Sequence, residues 1–262
     1  MKTLAVRTGR AASRLFLFLG LTLGLAFGAH FGWKHLTTSP SFSIRRISFV
    51  GLDRVTEAEL LRLSGFVGGQ NLFSLDVGQS ERSMAAHPWV QQLSVSRRLP
   101  DGLSVQVTEH APAALMAMGE LYLVNRDGHP FRRVQPGDSL DLLLVTGVDR
   151  DAYVADTAGT AKRVAKAVAV AQAYGQSIAG KQAPLSEARI EPDAVALITG
   201  DGVELRLGEG GLEEKFTRLA QVRRELSARS LRAEVIHLDN RARPDWVAVK
   251  VWDPVSGRSG SP

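Results

Sequence analysis

Cysteine is absent from all 262 residues. That excludes disulfides, thiolate metal sites and a lipid-modified N-terminal cysteine. It suits an oxidising compartment such as a bacterial periplasm, where a chain without thiols has nothing to mispair. Acidic residues are missing until Asp53, whereas Lys2, Arg7, Arg10, Arg14, Lys34, Arg45 and Arg46 precede it. Those seven of the 32 Lys and Arg leave 25 basic against 27 acidic residues in the remainder, so the formal net charge of +5 belongs to the N-terminal end. A basic surface able to displace counterions from a polyanion is therefore missing, and no nucleic-acid partner is expected.

Catalytic signatures are missing too. The six histidines, at 30, 35, 87, 110, 129 and 237, never fall in a His-Glu-x-x-His pattern. No Gly-x-Ser-x-Gly elbow occurs, since Gly257-Arg258-Ser259-Gly260 is followed by Ser261. Gly208-Glu209-Gly210-Gly211 precedes a helix as a phosphate loop does, but Glu209, Glu213 and Glu214 put negative charge where an anion would bind. Asp149 and Asp151 read as solvated loop residues rather than a catalytic pair. No enzyme activity, metal or cofactor is expected.

One long uncharged run is present. Leu15 to Trp33, LFLFLGLTLGLAFGAHFGW, is roughly 19 residues and as a helix spans roughly 28 Å, the thickness of a hydrocarbon layer. The basic residues before it keep the segment 1–14 in the cytoplasm. Small residues at Ala26-Phe27-Gly28 also suit a signal peptidase, but the apolar run continues through Ala29, Phe31 and Trp33, beyond an ordinary signal core. The expectation is an uncleaved span at 15–33, then a linker at 34–41 containing Thr37-Thr38-Ser39-Pro40-Ser41.

Beyond the linker, Ile44 to Val50 is β-branched and aromatic and ends at Gly51, which reads as a strand. Thr56 and Glu59 form a capping box, with Leu60, Leu61 and Leu63 as an apolar helix face closed by Gly65. Asp76 caps a second helix that Pro88 terminates. Strands at Val90–Arg98 and Leu103–Glu109 flank the turn Leu99-Pro100-Asp101-Gly102. In the latter, Leu103, Val105 and Val107 alternate with Ser104, Gln106 and Thr108, predicting one buried and one wet face. The order is β-α-α-β-β.

Further on, Ala113–Met118 and Leu121–Asn125 read as strands, with Arg126-Asp127-Gly128 turning into Pro130-Phe131. Leu142–Val145 is apolar throughout, as for a strand buried on both sides. A helix is predicted over Thr157–Tyr174, then a meander of Glu187–Glu191, Ala194–Thr199 and Val203–Leu207, with Gly200-Asp201-Gly202 between the last two. Leu212–Ala228 is a helix whose Glu213, Glu214, Arg223 and Arg224 complement the macrodipole. Val235–Leu238 and Trp246–Trp252 read as closing strands. The fold class is α+β.

Val50-Gly51, Asn71-Leu72-Phe73, His87-Pro88-Trp89-Val90, Arg97-Arg98-Leu99-Pro100-Asp101 and Val107-Thr108-Glu109, in this order after one N-terminal anchor, resemble a POTRA domain. More narrowly, the chain resembles the FtsQ/DivIB family of bacterial cell-division proteins. His237-Leu238-Asp239-Asn240 departs from the family's usual Ile-Asp-Leu-Arg run, and the short tail after Asp253 favours the FtsQ side. The organisation expected is a 1–14 cytoplasmic tail, the 15–33 span, a 34–41 linker, a POTRA domain at 42–111, an FtsQ-type second domain at 112–253 and a flexible tail at 254–262.

The last strand is the candidate partner-binding segment. Trp246, Val247, Ala248, Val249, Lys250, Val251 and Trp252 are β-prone and guarded by one charge, so an exposed edge here would accept an added strand. The resemblance implies an essential inner-membrane scaffold at the division septum, with periplasmic domains, whose partners are an FtsB/FtsL-type coiled-coil pair and other division proteins. Alternatives are that this strand lies inside the sheet with core tryptophans, that the chain is another POTRA-type assembly factor, or that it is a tethered periplasmic binding or hydrolytic domain with a deep polar pocket.

Overall fold

A computed structural model describes the backbone at residues 2–138, 141–192, 194–208, 210–240, 243 and 246–253, with side chains from residue 17 onward. The basic side chains of the expected cytoplasmic tail, Leu15 and Phe16 of the expected span, and the expected tail at 254–262 lie outside what is described. Helix α1, Lys2–Thr38, runs further than the sequence reading expects and takes in Lys34 to Thr38 of the predicted linker. The Thr37 and Thr38 hydroxyls donate back to the carbonyls of Trp33 and Lys34, which lets hydroxyl residues end a helix without competing with it. Pro40 then stops it, in a one-turn 3-10 helix at Pro40–Phe42. Among the described residues, no helix is long and apolar enough to cross a membrane. The chain divides after Glu109 into two compact units.

In the first unit, β1 (Arg46–Val50) is followed by α2 (Glu57–Ser64), α3 (Val77–Ala85), β2 (Val90–Arg98) and β3 (Gly102–Glu109). β3 lies centrally, parallel to β1 and antiparallel to β2. The capping box is formed in both directions, and Gly65 takes the left-handed conformation that closes the helix. Leu60 is fully buried, but Leu61 and Leu63 are exposed, because an eight-residue helix turns only the Leu60 and Ser64 positions inward. Leu60, Leu72, Met84, Leu103 and Val105 form the centre of this core. Ser104, predicted wet, is buried instead, as it sits mid-sheet between its register partners Ser48 and Ser96. Asn71 donates to the carbonyls of Leu36 and Ser39, tying this unit to the end of α1.

The Glu109 carboxylate accepts the backbone N–H groups of Asp53, Arg54 and Val55 at 2.9–3.0 Å, fixing the loop that leads into α2. Burial would raise its pKa, but these three bonds overcome that and hold it below the ordinary glutamate value.

In the second unit the elements are β4 (Ala114–Met118), β5 (Glu120–Val124), β6 (Pro130–Arg133), β7 (Leu144–Thr146), α4 (Arg150–Ala155), α5 (Thr157–Gln176), α6 (Ile178–Gln182), β8 (Leu185–Ile190), β9 (Val195–Thr199), β10 (Glu204–Arg206), α7 (Leu212–Ala228), β11 (Ala233–His237) and β12 (Ala248–Val251). Nine strands among the described residues form one sheet in the order β12-β11-β10-β9-β8-β7-β4-β5-β6. Asp149, read from sequence as a loop residue, caps α4, accepting the Asp151 N–H, and Asp156 caps α5. β7 begins two residues later than predicted and only Val145 is fully buried in it; β4 and β8 flank it in parallel. The core joins these strands to α5 and α7 through Val164, Val168, Tyr174, Leu197, Phe216 and Leu219. The Tyr174 hydroxyl is buried and donates to the Ala183 carbonyl at 2.8 Å, and burial raises its pKa.

Candidate functional site

β11 joins the sheet by parallel pairing with β10, and β12 turns back to pair with it antiparallel. No described strand lies beyond β12, so the candidate segment is at the sheet's edge rather than inside it. Its ladder is narrower than predicted: Ala248 to Val251 pair, while Trp246, Val247 and Trp252 flank them. Side chains alternate as a pleated strand requires, Val247 and Val249 packing on the core while Ala248 and Lys250 face outward. Lys250 reaches the Glu234 carboxylate at 2.8 Å, a surface pair that by itself stabilises little.

The direction of the backbone groups follows from one bond. The Trp252 N–H donates to the Arg232 carbonyl at 2.8 Å, toward β11. Backbone direction alternates along a strand, so Lys250 and Ala248 share that side, and Val249 and Val251 present N–H and C=O to the open edge. The same parity holds on the neighbour, where the Leu238 N–H donates to the Arg206 carbonyl on β10, placing Ile236 toward β10 as well.

Both tryptophans of the segment stand clear of the core. Trp246 is 61% exposed and Trp252 50% exposed, against the alternative that they are core residues. The Arg243 guanidinium lies 4.5 Å from the Trp246 ring centre and that of Arg232 5.8 Å from Trp252. Two large amphipathic rings therefore bracket an edge that pairs with no further strand among the described residues.

A feature that sequence reasoning missed lies further into the same sheet, on β8 and β10. Arg189 on β8 reaches Glu187 at 3.2 Å and, across β9, Glu204 on β10 at 3.5 Å; Glu204 also holds Arg206 at 2.7 Å. Ala196, opposite Arg189 in the register, is small enough to let that side chain cross. The hydrogen bond and charge of Glu204 raise the Arg206 pKa. The sequence signal was the charged pairs at i and i+2, Glu187/Arg189 and Glu204/Arg206, but which strands bring them together is set by topology.

Comparison with known proteins fits this architecture. A family model described as POTRA domain, FtsQ-type, matches residues 42–110, and one described as Cell division protein FtsQ/DivIB, C-terminal, matches 113–239. β12 lies beyond the second match. A cell division protein FtsQ of Myxococcus fulvus is 52% identical over 251 residues, 95% of this chain and 88% of that protein. One from Anaeromyxobacter sp. (strain K) is 40% identical over 260 residues, 98% of this chain and 87% of its own. One from Geobacter sp. (strain M21) is 29% identical over 230 residues, 87% of this chain and 84% of that protein. With both units matched and close to the full length shared, the chain belongs to the FtsQ/DivIB family of cell-division proteins.

Proposed function

We propose that this protein is a non-catalytic, single-span scaffold of the division machinery, with its N-terminus cytoplasmic and both folded units periplasmic at the septum. It holds an FtsB/FtsL-type coiled-coil pair by strand addition along Trp246–Trp252, and its first unit contacts other division proteins. The observation that carries the partner reading is the outer edge of β12, where Val249 and Val251 turn backbone groups outward, with no further strand among the described residues, between two exposed tryptophans. An added strand would satisfy those groups, main-chain bonds giving affinity and alternate side chains selectivity.

Membrane anchoring is supported by the surface of α1. Leu17, Phe18, Leu19, Leu21, Leu23, Leu25, Phe27, Phe31 and Trp33 are each 54% or more exposed, and they point to every side of the helix. A helix apolar all round needs a solvent other than water. Leu15 and Phe16 complete the run in sequence, and Lys2, Arg7, Arg10 and Arg14 orient it.

Replacing Val249 by Pro removes one outward N–H and leaves the bonds to β11 intact. The expected result is a folded protein that loses capture of the FtsB/FtsL-type pair in a pull-down. Undiminished capture by a folded variant refutes strand addition at this edge. Depletion of the protein is expected to give filaments without septa under the microscope, and normal division would refute the scaffold role.

A further inference from the structure

The second unit carries a cleft of about 480 Å³ where the C-terminal end of α7 meets the start of β11. Its wall holds three guanidiniums, Arg223, Arg224 and Arg232, against a single carboxylate, Asp201. Leu226 and Leu231 supply apolar surface between them.

The three arginines are not equivalent. Arg223 is committed to the fold: its guanidinium reaches Asp201 at 3.0 Å and the Thr199 hydroxyl at 3.1 Å, with a side chain only 14% exposed. Burial would raise the Asp201 carboxyl, but Arg223 and Thr199 outweigh that and hold it below the ordinary aspartate value. Asp201 is therefore ionised and consumed by Arg223. Another donor of that same guanidinium, Nε–H, is buried with no acceptor among the described residues.

Arg224 and Arg232 are exposed and have no carboxylate partner among the described residues. Arg224 uses Nε to reach the Ala220 carbonyl at 3.3 Å, and Arg232 lies over the Trp252 ring, an arrangement that leaves its charge in place. The cleft thus has two exposed cations without a carboxylate partner among the described residues, beside aliphatic walls.

We propose that this cleft is a second recognition site, separate from the β12 edge, that binds a carboxylate-bearing peptide segment of a protein partner with an aliphatic residue beside the acidic one. The Arg224 and Arg232 forks grip the carboxylate, and the aliphatic neighbour packs on Leu226 and Leu231. A bare inorganic anion would use the charges and leave the apolar wall wet, which is why the peptide is the better fit.

The test uses the full chain in detergent micelles and two capped peptides, one alternating leucine with glutamate and one alternating leucine with glutamine. Binding is followed by calorimetry and by the NMR signal of the Arg223 Nε–H. The acidic peptide is expected to bind and shift that signal, and the neutral one to bind at least tenfold more weakly. The exposed pair Arg224→Gln and Arg232→Gln is expected to weaken acidic-peptide binding about tenfold, equivalent to about 1.4 kcal/mol. A circular dichroism spectrum matching the parent shows that the variant is folded. Equal binding by the variant, equal binding of the neutral peptide, or an unmoved Arg223 signal overturns the proposal. Inorganic phosphate shifting that signal as far as the acidic peptide overturns it too, by showing a site for a simple anion. Because Val249 does not line the cleft, Val249→Pro is expected to leave this binding unchanged, which keeps failure of the cleft distinct from failure of strand addition.

Discussion

Replacing Glu109 by Gln tests how the first unit fixes the loop before α2. The carboxylate holds three backbone N–H groups, from Asp53, Arg54 and Val55, and a neutral amide keeps the shape but loses the charge. Bonds to a charged group contribute about 1.5–3 kcal/mol each and neutral ones about 0.5–1.5. Asp53 and Arg54 are exposed and water replaces most of their loss, whereas Val55 is buried and loses its share in full. The expected cost is about 1–2 kcal/mol at neutral pH. The folded-state pKa of Glu109 is lowered, so its stabilisation is complete above the unfolded value of about 4.3 and is lost as pH falls through the lower folded value. The gap between parent and variant therefore closes on acidification. Urea unfolding of the full chain, followed through the methyl NMR signals of the buried Leu60 and Val105, reports this unit alone. Equal midpoints at neutral pH, or a gap that persists undiminished in acid, refute the reasoning.

Thr56→Ala removes the cap of α2 and half of the reciprocal box with Glu59, and is expected to cost the same unit about 1 kcal/mol by the same urea assay. No change in midpoint would mean the box is not supporting the helix. Gly128→Ala acts on the second unit: φ is +80° and a Cβ would stand 2.0 Å from the Ala161 carbonyl oxygen on α5. The strained backbone and the clash together are expected to cost about 3 kcal/mol or more, read from the Val164 methyl signals. A loss below about 1 kcal/mol would show that the turn can move away from the helix.

Much of the local structure was legible because its causes are local. Thr56 with Glu59, Asp76, the turn at Pro100 to Gly102, and the apolar stripe of α7 each specify an element within a few residues. The short helices α4 and α6 were missed, since six and five residues hold too little periodicity to show, although Asp149 and Ser177 cap them. Sheet order was beyond local reading: β7 sits between β4 and β8, far apart in sequence, and nothing in Leu142 to Val145 names those neighbours. The candidate segment was visible as an apolar, β-prone run, but its edge position depends on β11 pairing parallel with β10. The outward direction of Val249 and Val251 depends in turn on which residues of β12 bond to β11. The arginine cleft was hidden because Asp201, Arg223 and Arg232 converge only when the hairpin, α7 and β11 are assembled.

Amide hydrogen exchange on the full chain, with and without the FtsB/FtsL-type pair, tests the central claim most directly. Strand addition predicts that the Val249 and Val251 amides, open to solvent when free, become strongly protected in the complex, while Lys250, already bonded to β11, changes little. A stable complex in which Val249 and Val251 exchange as fast as in the free protein would contradict the account.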